Sequence, residues 1–98
     1  MPYPIRLTPA ASAQFRALRK YDQVRIRNEM VRQLTDNPDE ETRHKKRINS
    51  EFLSTYELRV GDFRVFYDID GDRMEVVIAA IGVKWHDRLF IEGEEVEL

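Results

Sequence analysis

The sequence predicts an α+β domain of two layers. An N-terminal strand and a helical hairpin cover one face of an antiparallel three-strand meander, and there is room for a short C-terminal strand. Two observations support this. Apolar residues recur at helical spacing between residues 9 and 35, and aromatic and β-branched residues alternate with period two between residues 56 and 82. Helices that precede such a meander pack on one of its faces. All 98 residues are assigned to this one domain.

The first elements are a short strand from Tyr3 to Leu7 and a helix that begins at Thr8-Pro9. Threonine is a preferred N-cap residue, and proline fits the first helical position. The helix is predicted to continue to about Arg19. Its apolar stripe consists of Ala11, Phe15 and Leu18.

A second helix is predicted from a cap at Asp22 to about Thr35. Its buried row has the spacing of one helical face and consists of Ile26, Met30 and Leu34. Asn37-Pro38 ends the helix, because the residue before a proline is disfavoured in the α conformation. The two helices are therefore expected to form an antiparallel hairpin.

The first hairpin of the meander joins Tyr56–Val60 to Phe63–Ile69 through Gly61-Asp62. A two-residue loop that starts with glycine suits a type II′ turn and fixes the register. The predicted pairs on the core face are Val60 with Phe63, Leu58 with Val65, and Tyr56 with Tyr67.

The second hairpin is predicted to turn at Gly71-Asp72 and to end at Gly82. A two-residue loop at this point extends the same core face. The predicted pairs are Tyr67 with Val76, Val65 with Ile78, and Phe63 with Ala80.

The opposite face of the meander is predicted to be open and to carry Arg59 directly opposite Arg64, with Glu57 opposite Phe66. Two facing arginines repel each other by about 0.2–1 kcal/mol relative to a neutral pair. Selection for stability alone would avoid this pair. The alternative interpretation is a solvated face on which Glu57 partly neutralises both arginines.

Two further segments carry candidate functional residues. The basic run from Arg43 to Arg47 is either a solvated loop or a contact for a phosphate backbone. The segment from Val83 to Phe90 contains Lys84 and His86, whose side chains can bind RNA or move protons, although His86-Asp87-Arg88 also suits a local salt-bridged turn. The resulting candidates for RNA binding are Arg59, Lys45, Lys46, Arg47, Arg88 and Phe90.

The composition excludes several classes of function. There is no cysteine, so the chain has no disulfide framework, no thiol nucleophile and no cysteine-based metal site. The two histidines are far apart in sequence, and no metal site is predicted. No apolar run approaches the length of a membrane span, and the N-terminus lacks a signal peptide pattern, so a cytoplasmic protein without membrane contact is expected.

The charge is unevenly distributed. The net charge is −2, from 16 basic and 18 acidic residues. Four of the acids lie between Glu92 and Leu98; without them the chain has a net charge of +2. The sequence leaves open whether the acidic tail is ordered; pairing as an extra strand and covering the basic face are the two arrangements open to it.

The order of elements and the segment LRVGDFRVFY, from Leu58 to Tyr67, resemble the RelE/ParE superfamily of toxins from type II toxin–antitoxin modules. The resemblance covers nearly the whole chain. It implies a RelE-like fold, a cognate antitoxin as partner and no cofactor. The matching pattern is common to both branches of the superfamily, so two activities are implied as alternatives.

The RelE branch implies a metal-independent endonuclease that cleaves mRNA on the ribosome and so inhibits translation. The arginine of its third strand matches Arg64, its basic residue after the fourth strand matches Lys84, and its aromatic residue near the C-terminus, often a tyrosine, matches Phe90. The lysines of its second strand are replaced by Thr55 and Glu57.

Some relatives use a glutamate and a histidine as the acid–base pair. The candidate catalytic residues are therefore Arg64, Lys84, His86 and Glu57. The ParE branch implies instead a protein that inhibits DNA gyrase by binding. A third alternative is a degenerate toxin that only binds its antitoxin.

Overall fold

The computed structural model describes residues 2–97; Met1 and Leu98, at the ends of the N-terminal segment and the acidic tail, lie outside the described residues. The architecture is α+β, as predicted, and the helices cover one face of the sheet. The sheet is larger than the predicted meander, with seven strands in the described part of the chain. The elements in chain order are β1 (Ile5–Leu7), α1 (Pro9–Arg16), α2 (Lys20–Leu34), β2 (Lys45–Arg47), β3 (Tyr56–Val60), β4 (Phe63–Asp70), β5 (Glu75–Trp85), β6 (Arg88–Ile91) and β7 (Glu94–Val96).

The sheet is antiparallel except at β1. Strands β2 to β7 follow each other in sequence order across it, and β1 pairs in parallel with β5, where Ile5 lies beside Val76. The acidic tail forms the edge strand β7, so pairing is the alternative that the structure supports. The first hairpin has the predicted register: Val60 pairs with Phe63 and Arg59 with Arg64.

The predicted register of the second hairpin is wrong. The loop contains four residues, Gly71 to Met74, and Tyr67 pairs with Ile78 instead of Val76. The carboxylate of Asp70 accepts hydrogen bonds of 3.1 Å from the backbone N–H groups of Asp72 and Arg73, which closes the longer loop. This side-chain bond competes with the two-residue turn that glycine favours.

A β-bulge then changes the pairing of β4 with β5. Tyr67 pairs with Ile78 and Phe66 with Ala80, so Ala79 has no partner on β4. An extra residue in one strand moves the residues beyond it to the opposite face. Ala80, predicted for the core under the helices, therefore lies on the other face, and Ile81 takes a place in that core.

The helices differ from the prediction at their ends. Thr8 is the N-cap of α1, as expected, and its Oγ1 accepts a hydrogen bond of 3.1 Å from the Ala11 N–H. Helix α1 ends at Arg16, short of the predicted Arg19. Helix α2 begins at Lys20, and the predicted cap Asp22 lies in its first turn, where it accepts a hydrogen bond from Arg19.

Two hydrophobic cores lie on opposite faces of the sheet. The larger core packs the buried rows of both helices against β3, β4 and β5. The smaller core contains Phe66, Ala80 and Leu89, and it is covered by Ile48, Leu53, Ile91 and Val96. The predicted open face is therefore wrong at Phe66, which is completely buried. Segments distant in sequence supply this cover, so the pairing of β3 with β4 does not reveal it.

Within residues 2–97, no helix combines the length and the apolar character needed to cross a membrane.

Candidate active site

A polar cavity of about 420 Å³ lies at the end of the sheet where β3 turns into β4. Strands β3, β4 and β5 and the two turns beside them contribute its walls. The lining residues are Arg59, Asp62, Arg64, Lys84, His86 and Asp87. Three of the four predicted catalytic residues therefore meet in one cavity, together with one predicted RNA-binding residue.

Strand pairing places these residues together. Arg59 is opposite Arg64, and Arg64 is opposite Gly82 on the next strand. Lys84 lies two residues beyond Gly82 and so projects from the same face. Its backbone N–H donates a hydrogen bond of 2.7 Å to the Asp62 carbonyl, which holds the end of β5 against the β3–β4 turn.

Gly82 allows this arrangement because no side chain fits at its position. A Cβ there would lie 2.8 Å from the carbonyl oxygen of Phe90 and 2.9 Å from the side chain of Ile91. Any larger residue would push β6 away from β5. The glycine that ends the predicted meander therefore has a packing role beside the cavity.

The Arg64 guanidinium is held in a fixed position. Its NH1 group donates hydrogen bonds to the carbonyls of Gly61 (2.8 Å) and Phe63 (2.9 Å). Its Nε is buried and has no hydrogen-bond partner within residues 2–97. Burial lowers the pKa of Arg64, and the positive charge of Arg59 lowers it further, while Glu57 and Asp62 act in the opposite direction. Arginine remains protonated despite such shifts, because its ordinary pKa lies far above neutral pH.

Glu57 does not line the cavity. It is only 3% exposed, and its Oε2 accepts a hydrogen bond of 3.0 Å from Arg59 Nε. Its Oε1 has no partner within the described residues. Glu57 lies opposite Phe66, which belongs to the smaller core, and this position accounts for its burial. The structure therefore places Glu57 as the partner of Arg59 and gives it no direct access to a bound substrate.

His86 lies at the tip of the hairpin between β5 and β6. His86 and Asp87 both have left-handed backbone conformations, with φ of 51° and 63°. Two consecutive positive φ values are typical of a type I′ turn, the turn that matches the twist of a two-residue hairpin. The His86 ring lies edge-on to Trp85, with ring centroids 4.2 Å apart, and is exposed at the cavity.

The position of Lys45 contradicts its predicted RNA-binding role. The side chain is on the helix face of the sheet, and its Nζ donates hydrogen bonds of 3.0 Å to the carbonyls of Gln33 and Asn37. Lys45 is only 4% exposed, so its ammonium group is not available to a phosphate backbone. The alternation of β2 separates it from Lys46, which lies opposite Glu57 on the other face.

The remaining predicted RNA-binding residues lie outside the cavity. Arg47 is exposed, donates to Asn49 Oδ1 at 3.1 Å and covers the ring of Tyr56. Arg88 donates two hydrogen bonds to the Glu95 carboxylate, at 2.6 and 3.0 Å, and these bonds raise the pKa of Arg88. Phe90 is half-buried and packs edge-on against Trp85.

Two further residues of the cavity, Asp62 and Asp87, are absent from the set that the sequence predicts. Both lie in hairpin turns, close in sequence to predicted site residues, and this position could have identified them from the sequence. Within residues 2–97, no group of three or more histidine or acidic side chains is arranged to hold a metal ion.

A family model described as "ParE toxin of type II toxin-antitoxin system, parDE" matches residues 5–84, most of the chain. The chain belongs to the ParE toxin family. This family lies within the RelE/ParE superfamily that the segment from Leu58 to Tyr67 indicated. The match ends at Lys84, so it includes β1 to β4 and all of β5 except Trp85, and it excludes the His86-Asp87 turn.

A solved structure shows the same fold. The crystal structure of the toxin-antitoxin complex RelBE2 from Mycobacterium tuberculosis contains a chain that is 25% identical to this ParE family member. The match covers 86% of this chain and 93% of that chain, with a TM-score of 0.72. A search of curated proteins finds no significant match.

Proposed function

We propose that this toxin is a metal-independent endoribonuclease that cleaves mRNA on the ribosome and thereby inhibits translation. The observation that carries the proposal is the cavity in which Arg59, Arg64, Lys84 and His86 converge. Three cations and an imidazole around one polar cavity suit the stabilisation of a phosphodiester whose negative charge increases in the transition state. Arg64 is pre-positioned for this task by its bonds to two backbone carbonyls.

The proposed reaction is a transfer within the RNA strand. The imidazole of His86 takes the proton from the ribose 2′-hydroxyl, whose oxygen attacks the neighbouring phosphorus. The bond from phosphorus to the 5′-oxygen breaks, and Lys84 donates a proton to that leaving oxygen. The products are a 2′,3′-cyclic phosphate and a free 5′-hydroxyl. Arg64 and Arg59 bind the non-bridging oxygens, whose charge is greatest in the transition state.

The test is tightly controlled expression of the chain, followed by mapping of mRNA 5′ ends and scoring of DNA breaks. Cuts at fixed positions within codons of translated messages are expected. Replacing Arg64 by alanine should lower the cleavage rate by a factor of about 10²–10³, the usual effect of removing one donor to a developing oxyanion. Arg64→Ala should remain folded because its loss also removes the repulsion from Arg59.

Arg73→Ala is the matched control for charge. Arg73 is exposed in the loop between β4 and β5, at the far end of these strands from the cavity. The Arg73→Ala variant should cleave mRNA at the wild-type rate. If Arg64→Ala and Arg73→Ala cleave mRNA equally well, the cavity is not the catalytic site.

Inhibition of DNA gyrase is the second candidate function, and the match to the ParE family model over residues 5–84 favours it. In this case no catalytic residue is needed, and the exposed arginines would contribute to binding. Gyrase-dependent DNA breaks with intact mRNA would support this function. If expression has no effect on growth, binding of an antitoxin would be the one candidate function that remains.

We also propose a cognate antitoxin as a partner, since the similar solved structure is a toxin–antitoxin complex. The cavity and its surroundings expose cationic groups, among them Arg59, whose side chain is 46% exposed. An acidic antitoxin segment that crosses the cavity would complement this charge. Co-expression with the antitoxin should then suppress mRNA cleavage and protect Arg59 and Lys84 from chemical modification.

A further inference from the structure

A second polar cavity, of about 320 Å³, lies between helix α2 and the end of β3. Apart from Arg59, no residue that lines it takes part in the proposed chemistry. Arg59 lines both this cavity and the candidate active site, so the two cavities adjoin at this residue. The lining residues are Arg25, Asn28, Glu29, Arg32, His44, Arg59, Val60 and Gly61.

The second cavity has an excess of positive charge. Three arginines and one carboxylate, that of Glu29, line it. Glu29 is already engaged, since its Oε1 lies 3.0 Å from Arg32 NH2. The side chain of Arg25 is exposed, and its guanidinium has no side-chain hydrogen bond or ion pair to any residue between 2 and 97. A guanidinium without a protein partner, at the wall of an open cavity, is available to an anionic ligand.

The turn residue Gly61 lies between the two cavities. The Arg25 guanidinium lies against the backbone of Gly61 so closely that a Cβ at this position would overlap it. Gly61 has a φ of 58°, which glycine adopts at no steric cost. The carbonyl of the same residue accepts the hydrogen bond from Arg64 NH1 at 2.8 Å. One turn residue therefore contacts an arginine of each cavity.

We propose that the second cavity binds a phosphodiester group of the same RNA strand whose scissile phosphate occupies the candidate active site. This inference rests on the proposed endoribonuclease function. Two adjoining cationic cavities match a ligand with anionic groups at regular intervals, and arginine binds phosphate in a bidentate manner. The Asn28 side-chain amide and the His44 imidazole add groups that can hydrogen-bond a ribose or a base edge. Contacts to the phosphate backbone would set the register of the strand.

The test measures binding without cleavage. The probe is a short, fluorescently labelled single-stranded 2′-O-methyl RNA, which lacks the attacking hydroxyl, and its affinity for the full chain is measured by anisotropy at several salt concentrations. Arg25→Gln should lower the affinity about 5- to 10-fold at low salt. It should also make the slope of log affinity against log salt shallower by about 0.7, the value for one phosphate contact on a single strand.

Arg27→Gln is the matched control. Arg27 lies two residues further along α2 and lines a different depression, next to Phe15 and Lys20. The Arg27→Gln variant loses the same charge as Arg25→Gln. If the contact at Arg25 is specific, the RNA affinity of Arg27→Gln should fall less than 2-fold. Thermal unfolding of both variants checks that each one is folded.

Four outcomes would overturn the proposal. Arg25→Gln and Arg27→Gln lose RNA affinity equally, Arg25→Gln loses no RNA affinity, or the wild type does not bind the probe at low salt. In the fourth outcome, Arg25→Gln weakens the binding of an oligoglutamate peptide and leaves the binding of RNA unchanged. The last outcome would assign the cavity to carboxylates. The cleavage assay of Arg64→Ala separates this proposal from the proposed function. If that variant cleaves normally while Arg25→Gln binds RNA weakly, the proposed catalytic site is wrong, and only the binding of RNA at the second cavity is supported.

Discussion

Glu57 accepts a hydrogen bond from Arg59 across 3.0 Å, and the two partners differ in exposure: the Glu57 side chain is 4% exposed and that of Arg59 is 46% exposed. The carboxylate thus lies beneath the sheet surface while the arginine reaches the cavity. Arg59 and Arg64, which face each other on adjacent strands, repel each other, and a buried negative charge on the same face offsets this repulsion. Glu57 is therefore better explained as support for the arginine pair than as a proton donor or acceptor.

Glu57→Gln should destabilise the protein by about 1–2 kcal/mol, because a charge-assisted hydrogen bond becomes a neutral one and both arginines lose a counter-charge. Urea unfolding at low and at high salt measures this effect, and most of the loss should persist at high salt, because salt screens a buried carboxylate much less than an exposed one. Glu51→Gln, in an exposed loop, is the control and should be neutral. A Glu57→Gln variant as stable as Glu51→Gln would show that the ion pair does not stabilise the arginine face.

His86→Gly separates the chemistry of the imidazole from the geometry of the turn. Glycine adopts the positive φ of this position readily, so the free energy of unfolding should stay within about 1 kcal/mol of the wild type. The cleavage rate should fall by a factor of about 10²–10⁴, because a general acid–base group is lost. Asn37→Gly makes the same kind of change at a left-handed residue outside the cavity wall and should cleave normally. Unchanged cleavage by His86→Gly would leave His86 as a turn residue only.

Lys45 and Lys46 are adjacent in sequence, and opposite roles are expected for them. Lys45→Met should cost about 1–3 kcal/mol of stability, because the carbonyls of Gln33 and Asn37 lose their buried donor. Its effect on RNA binding should be small. Lys46→Met should change stability by less than about 0.5 kcal/mol and should weaken RNA binding. Denaturant unfolding and anisotropy on both variants test this assignment. It would be wrong if Lys45→Met weakened RNA binding and left the free energy of unfolding unchanged.

Tyr67 gives the stability a dependence on alkaline pH. Its hydroxyl is buried and donates a hydrogen bond of 2.7 Å to the Pro38 carbonyl, and burial raises the pKa of Tyr67 above its ordinary value. In the unfolded chain the phenol ionises near its ordinary pKa of about 10. The stability from Tyr67 is therefore fully present below about pH 10 and is lost as the pH rises above it, because the folded state alone retains the proton.

Tyr67→Phe should lower the free energy of unfolding by about 1–2 kcal/mol at neutral pH, because the Pro38 carbonyl loses its donor. Above about pH 10 the stability of Tyr67→Phe should fall less steeply than that of the wild type. Urea unfolding across this pH range tests both statements. Parallel declines in the two proteins would show that Tyr67 does not cause the alkaline loss.

Local rules in the sequence predicted part of the site correctly. The two-residue turn at Gly61-Asp62 fixed the pairing of β3 with β4, and therefore placed Arg59 opposite Arg64. The Thr8 cap was also correct, because capping depends on neighbouring residues in the chain. The position of Lys45 could not be obtained in this way, since its partners Gln33 and Asn37 belong to a different element and a loop.

The sequence by itself determined the α+β class, the first hairpin and the membership of the superfamily, because each depends on local residue patterns and on their order along the chain. The tertiary structure alone decided which of the predicted residues share a cavity. The bulge opposite Phe66 and Tyr67 set Gly82 beside Arg64, and the burial of Phe66 and Glu57 came from side chains distant in sequence. Long-range packing of this kind selects among local patterns that are equally consistent with the sequence.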